Sequence, residues 1–312
     1  MRVLVTGAAG FLGVHLCERY LRLGHEVVGL DNLVTGSRKN IDYLEELASG
    51  RFCFIEEDVS NSFYVPQGKV DLIFHFASPA SPVDFGRLAF EIIDANVSGT
   101  RQCLQLAEQD GAILVFASTS EVYGDARVSP QPEDYSGNVD VTSPRAVYDE
   151  AKRMGEVLCY TYNRVCDVDI RVARIFNTYG PRMRIDDGRV IPNFIRAVLR
   201  GEEMELRRYG RATRSFCYVE DTIEALVRLV DVPGVSPMNI GNDREIRIEE
   251  LGELIADFMG VPKSFRRVEG DIDEPFNRRP DLHMMKKHLN FEPRWDLDRG
   301  LKETIRWFRL RP

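Results

Sequence analysis

The sequence predicts an α/β protein: a doubly wound parallel sheet joined to a smaller C-terminal α/β part. Two observations carry that prediction. Short apolar runs alternate with amphipathic helical spacing from the first residues onward. A glycine cluster, Gly7-Ala8-Ala9-Gly10-Phe11-Leu12-Gly13, separates the first run from the first helical stretch. Strand patterns cover residues 3–6, 26–30, 52–55, 72–76, 113–117 and 169–175, and helical patterns cover 12–23, 88–109 and 147–164. Runs that are apolar on both faces and separated by helices suit a parallel sheet covered on both sides. Such sheets bind ligands beyond the carboxyl ends of their strands.

After residue 176 the segments shorten, and glycine and proline punctuate them, as at Gly180-Pro181, Pro233-Gly234 and Pro280. Helical spacing recurs over 191–200, 218–230, 248–258, 282–288 and 301–308. The expected organisation is a cofactor-binding part over residues 1–176 and a mainly substrate-binding part over 177–312. A segment within about 215–245, around Asn239, is expected to return to the sheet.

Composition narrows the classes of function. The 312 residues, 44% hydrophobic and 29% charged, are ample for a buried core. Lysine and arginine number 41 against 49 acids, a net charge of −8 that argues against a nucleic-acid partner. No apolar run approaches the ~20 residues needed to span a bilayer, so no membrane role is expected. A strand pattern already begins at Arg2, so no leader is expected. Six scattered cysteines without a CxxC pair read as reduced thiols of a cytoplasmic protein. The five histidines show no ligand spacing, so no metal is expected, and His75 reads as a strand-end core residue.

The glycine cluster has the spacing GxxGxxG. Glycines there let the backbone turn tightly and approach a pyrophosphate, whose charge then sits at the helix N-terminus. Small residues also occur wherever a helix packs closely on a strand, and Asp31 decides between these readings. It ends the second strand pattern 24 residues after Gly7, where a carboxylate accepts hydrogen bonds from an adenosine ribose. It would repel a 2′-phosphate, so NAD is expected over NADP and the sheet is expected to be Rossmann-type. Arg38 and Lys39 are read as solvated residues of a following loop.

Tyr148 and Lys152 lie one helical turn apart on one face. A free phenol has a pKa of ~10 and is a poor base at neutral pH. A nearby ammonium and a nicotinamide ring would stabilise the phenolate. The YxxxK spacing alone also fits an exposed helix face. It gains weight from Ser118-Thr119-Ser120 at the carboxyl end of the fifth strand pattern, where hydroxyls can bond a sugar oxygen. From Arg182 to Arg214 there are nine arginines against five acids, a local excess that suits a diphosphate.

Together, the segments GAAGFLG, DNLVTG, HFASPASP, ASTSEVYGD, PRAVYDEAKR, RVARIFNTYGPRM, DGRVIPNF and RRPD resemble the extended short-chain dehydrogenase/reductase family of nucleotide-sugar enzymes. Within it, the segments at 77–82, 119–125 and 177–183 are most similar to the UDP-glucuronic acid decarboxylases (UDP-xylose synthases). The resemblance implies oxidation at the sugar C4, loss of the C5 carboxylate as carbon dioxide, and return of the hydride. It implies Tyr148 as base, Lys152 as its tuner, Thr119 as the group orienting the C4 hydroxyl, Glu121 acting near C5, and Arg278 reaching the substrate. For NAD it implies Gly7, Gly10, Phe11, Leu12, Gly13, Asp31, Asn32, Thr35, Gly36, Asp58, Val59, Ala77, Ser78 and Asn96, beside Tyr148 and Lys152. For the UDP-sugar it implies Pro82, Ser120, Asn177, Arg182, Arg189, Val190, Tyr209, Arg214 and Arg278.

Ser120 stands where water-eliminating relatives carry an acidic residue, which argues against dehydration. Segment 83–88 departs from the tyrosine-containing segment usual in the decarboxylases and is expected near the sugar. The alternatives are a UDP-sugar 4-epimerase, a decarboxylase releasing the UDP-4-keto-pentose, and a silent NAD-binding regulator. The intact Thr119, Tyr148 and Lys152 weigh against the last. The helices over 88–109 and 147–164 resemble the pair that form the family's dimer interface, so a homodimer is expected.

Overall fold

The computed structural model describes residues 1–66, 68–269 and 277–310. Six strands follow in chain order: β1 (Arg2–Thr6), β2 (Glu26–Leu30), β3 (Phe52–Ile55), β4 (Leu72–His75), β5 (Ile113–Thr119) and β6 (Ile170–Ile175). With Met238–Ile240 they form one seven-stranded sheet in the spatial order 3-2-1-4-5-6 and then Met238–Ile240, and every pairing is parallel. The carboxyl ends align: Thr6 stands opposite both Leu30 and His75, and Thr119 opposite Ile175. Strand alternation covers both faces. Val3 and Val5 pack into the core under the first helix with Leu16 and Cys17, while Leu4 points to the other side with Cys103, Leu104 and Leu158.

The helices that position the site are α1 (Phe11–Arg22), α2 (Arg38–Ala48), α3 (Ala89–Asp94), α4 (Thr100–Asp110) and α5 (Ala146–Cys166). They correct the sequence reading at two places. Arg38 and Lys39 are not in a loop but open α2, whose Ile41, Leu44 and Ala48 are buried at helical spacing. The helix expected over 88–109 is two helices joined by a π-turn at Ala95–Gly99. That extra-wide turn buries Asn96, whose Nδ2 donates to Ser78 Oγ (2.8 Å) and Ile92 O (2.8 Å).

Beyond β6 the chain builds small sheets. Thr213–Ser215 lies between Glu245–Arg247 and Asn277–Arg278, and Met204–Leu206 pairs with Phe265–Arg267. The intervening return of Met238–Ile240 to the edge of β6 means that this part is not one continuous stretch of chain. Among the described residues no helix is long and apolar enough to cross a membrane.

Candidate active site

A cavity of about 1290 Å³ opens along the carboxyl edge of the sheet and continues into the C-terminal part. Most residues singled out from the sequence line it; Gly36, Asn96 and Tyr209 do not. Gly36 acts on Asp31 instead, because a Cβ there would come within 2.7 Å of the Asp31 carboxylate. Asn96 acts through Ser78, which does line the cavity. Tyr209 is 46% exposed in a kinked turn, with backbone φ of 55°, and its side chain is not brought to the cavity.

At the first strand-to-helix turn, Gly7 has φ of 74°, and a Cβ on it would meet the backbone of Phe76 at 2.8 Å. A Cβ on Gly13 would lie 1.9 Å from the Gly7 carbonyl oxygen, so α1 seats directly on the turn only because residue 13 is glycine. Asp31 is buried and accepts from the Ala9 N–H (3.0 Å) and the Leu33 N–H (2.8 Å). Burial pushes its carboxyl up, and these two donors oppose that. Asn32 and Asp58 both line the cavity, and Asn32 donates to Asp58 (2.8 Å). Beneath, Thr6 Oγ1 donates to His75 Nδ1 (2.8 Å), and His75 Nε2 donates to Thr100 Oγ1 (3.1 Å), whose own proton goes to the Asn96 carbonyl (2.6 Å). This chain leaves His75 neutral; burial lowers its pKa to about 3.

The reactive end is built on β5 and α5. Tyr148 and Lys152 share one helix face, and the Tyr148 side chain is hydrogen-bonded to that of Thr119. Burial pushes the Tyr148 phenol up, against the pull of the Arg189 charge and of the Thr119 bond. Lys152 Nζ donates to the Ala117 carbonyl (2.8 Å) and lies 5.7 Å from the centre of the Tyr148 ring. Burial lowers its pKa to about 7. Thr119 Oγ1 also accepts the Glu121 N–H (3.2 Å), capping the 3-10 turn Ser120–Tyr123.

Glu121 is clasped by two guanidiniums: Arg145 at 2.5 Å on one carboxylate oxygen, and the buried Arg278 on the other. Arg278 also donates to the Gly124 carbonyl (3.2 Å). The sequence reading placed no role on Arg145, although it stands three residues before Tyr148, one helical turn away. It also missed Phe85, in the divergent segment 83–88. That ring stacks on Tyr148 with centroids 5.1 Å apart and 17° between planes, and the Arg145 guanidinium lies over it at 5.6 Å. A tyrosine walled off by an aromatic ring faces little water.

Along the same cavity, Arg189 donates to the Ala80 carbonyl (2.8 Å), and Arg184 pairs with the buried Asp84 (3.0 Å). Pro82, Ser120, Val190 and Arg214 also line the cavity. The Asn177 side-chain nitrogen is buried with no partner among the described residues, a donor suited to a phosphate oxygen. Arg182 lines the cavity as well, but its guanidinium is stacked on Tyr43 (3.8 Å) and Trp307 (4.9 Å) and bonded to Asn40 (3.2 Å).

A parallel dinucleotide sheet that presents a threonine, a tyrosine and a lysine to one cavity defines an oxidoreductase-type sugar-nucleotide site. The chain belongs to the NAD dependent epimerase/dehydratase family, which it matches over residues 3–241. It is 44% identical over 312 residues to UDP-glucuronic acid decarboxylase 6 of Arabidopsis thaliana, covering 100% of this chain and 90% of the relative. It is 42% identical over 308 residues to UDP-glucuronic acid decarboxylase 1 of Xenopus tropicalis, covering 99% and 72%. Among solved structures it resembles the UDP-glucose 4-epimerase of Thermotoga maritima with UDP-glucose (TM-score 0.90, 27% identity, 99% of each chain). It also resembles the UDP-glucuronic acid 4-epimerase of Bacillus cereus in complex with UDP-4-deoxy-4-fluoro-glucuronic acid and NAD (TM-score 0.89, 27% identity, 99% of each chain).

The residues here fit NAD: the glycine cradle leaves no room for side chains, and Asp31 faces the cavity with a carboxylate for the ribose. Asp31→Asn is expected to weaken NAD binding by about tenfold, the scale of one hydrogen bond to a charged acceptor, and to narrow the preference over NADP. Cofactor titration checks both. Equal affinity of the unaltered protein for NAD and NADP would remove Asp31 from the ribose.

Proposed function

We propose that this chain is an NAD-dependent UDP-glucuronic acid decarboxylase, forming UDP-xylose through a UDP-4-keto intermediate without net redox change. When bound, NAD takes up the sugar's C4 hydride and later gives it back. Tyr148 removes the C4 hydroxyl proton, Thr119 holds that hydroxyl toward it, and the Lys152 ammonium stabilises the phenolate. A C4 ketone lies β to the C5 carboxylate, so the electron pair left by departing carbon dioxide spreads onto the ketone oxygen. Glu121, with Arg145 and Arg278, is assigned to this carbon, since all three line the cavity two residues beyond Thr119 or in contact with Glu121. The enolate takes its C5 proton from water held at Glu121, Tyr148 returns its proton to the C4 oxygen as the hydride comes back, and Arg278 holds the anionic substrate with a planar fork suited to carboxylate or phosphate. Residues 1–176, with the returning strand, serve the cofactor, and the rest mainly serves the UDP-sugar.

The observation that carries this reading is the Glu121 carboxylate between two arginines, two residues beyond the threonine. Incubation with UDP-glucuronic acid and NAD should release carbon dioxide and give UDP-xylose, or its 4-keto precursor, by mass spectrometry. A C4 epimer with no carbon dioxide would replace this reading with the epimerase one.

A homodimer belongs to the same proposal. α3 and α5 pack together, and their outer faces expose Phe90 (78%), Val157 (53%) and Val165 (77%). On α5 these fall in line with Met154 at helical spacing. Phe90→Asp with Val157→Asp should give a monomer by light scattering. An unchanged mass would place the interface elsewhere.

A further inference from the structure

Under the reactive end runs a buried polar chain that none of the roles above uses. Glu156 lies one turn beyond Lys152 on the same face of α5. It accepts from Ser118 Oγ, next to Thr119, and forms a two-pronged pair with Arg174 on β6 (2.9 and 2.8 Å). Arg174 donates to the Tyr123 hydroxyl (3.0 Å), and Tyr123 donates to Asn239 Oδ1 (2.8 Å) on the returning strand. The Asn239 amide nitrogen donates to the carbonyls of Gln131 (2.9 Å) and Asp281 (3.1 Å). Gln131 in turn exchanges bonds with residue 279: its N–H donates to the Arg279 carbonyl, and its side-chain oxygen accepts the Arg279 N–H, both at 2.8 Å.

Each donor in this chain has one acceptor sense. Asn239 gives both amide hydrogens to carbonyls, so its oxygen must face Tyr123, and Tyr123 must therefore donate to it and accept from Arg174. A fully satisfied network in a buried setting holds one arrangement. One end carries the residues that act on C4: Ser118 adjoins Thr119, and Glu156 shares a helix face with Tyr148 and Lys152. The other end grips residues 279–281, immediately after Arg278. Glu156, Arg174 and Asn239 lie on three different secondary-structure elements, so the chain ties α5, β6 and the returning strand to the segment that follows Arg278.

We propose that Glu156, Arg174, Tyr123, Asn239 and Gln131 are positioning residues that hold Arg278 and Glu121 in register with the Thr119–Tyr148 pair. They set the decarboxylation step against the C4 oxidation step. The inference rests on the decarboxylase reading. Tyr123 is the joint at which it can be tested with least disturbance, since Tyr123→Phe removes one hydroxyl and keeps the ring packed against Tyr135 and Phe176. Tyr148 and Lys152 keep their own anchors on Thr119 and Ala117, so oxidation at C4 should survive, while a small displacement of Arg278 slows the later step.

The holoenzyme and its Tyr123→Phe variant would be mixed with UDP-glucuronic acid in a rapid-mixing experiment, following reduced cofactor by absorbance and carbon dioxide by trapping. Expected for the variant is carbon dioxide release about tenfold slower, reduced cofactor formed within about twofold of the wild-type rate and accumulating, and KM nearly unchanged. Glu156→Gln, which keeps the shape and loses the charge, should shift the same balance. Equal slowing of both steps would mean that the chain only supports the fold, and wild-type behaviour in both would mean that it does not reach Arg278. Either overturns the inference. If the unaltered protein itself releases no carbon dioxide, the functional reading falls, and this inference with it.

Discussion

Tyr148→Phe is expected to lower turnover on UDP-glucuronic acid by about 10²-fold or more while NAD binding stays within a factor of about two. The size follows from the usual worth of a positioned proton-transfer group. The hydroxyl sits on a fixed helix face, bonded to Thr119 and enclosed by Phe85. Burial alone opposes its ionisation, and it likewise drives Lys152 toward the neutral amine, so each group resists its charged form in isolation. Formed together, phenolate and ammonium offset each other's desolvation. Removing the phenol oxygen leaves the Phe85 stack and the Lys152–Ala117 bond in place, so the fold should hold. Steady-state rates and cofactor titration check the two halves of the prediction. Near-normal turnover would mean that another group takes the C4 proton.

Glu121→Gln is expected to slow carbon dioxide release by roughly 10²-fold, with a KM for UDP-glucuronic acid equal to or lower than that of the unaltered protein. The direction follows from the two guanidiniums. In the native arrangement Glu121 neutralises part of Arg145 and Arg278, and a second carboxylate brought beside it meets repulsion that departing carbon dioxide relieves. A glutamine frees both cations to bind the substrate carboxylate tightly. That stabilises the ground state, and tighter ground-state binding does not raise the rate of the chemical step. Carbon dioxide release at the native rate would show that Glu121 has no part in the step. A raised KM would show that its role lies in binding.

The sheet was readable because its strands are buried on both faces and appear as continuous apolar runs. The α5 pair was readable because a helix turn links Tyr148 to Lys152. Other features leave weaker traces. Ile41, Leu44 and Ala48 carry the spacing of α2, but a polar start at Ser37 to Asn40 masks it. The π-turn at Ala95–Gly99 is silent in the pattern because apolar residues continue through both flanking helices. The two- and three-residue strands of the C-terminal part are too short to show any period. Tyr209 matches a family position by letter, but its left-handed backbone turns it outward. Glu156 and Gln131 carry no signal of burial in the sequence, and Asn239 is marked there only by the segment expected to return to the sheet. Only the topology, which joins positions 108 residues apart, makes them one buried network.

The return of Met238–Ile240 to the edge of β6 constrains how this chain can be cut. A fragment ending near residue 176 would leave the β6 edge without its neighbour, presenting unpaired backbone groups and apolar side chains to other molecules, a template for aggregation. A fragment starting at 177 would carry a strand with no sheet to join. The C-terminal part therefore cannot be lifted out and grafted as a contiguous cassette. Changes of substrate preference are then expected from substitutions along the cavity, as at Phe85 in the segment 83–88, rather than from exchange of whole modules.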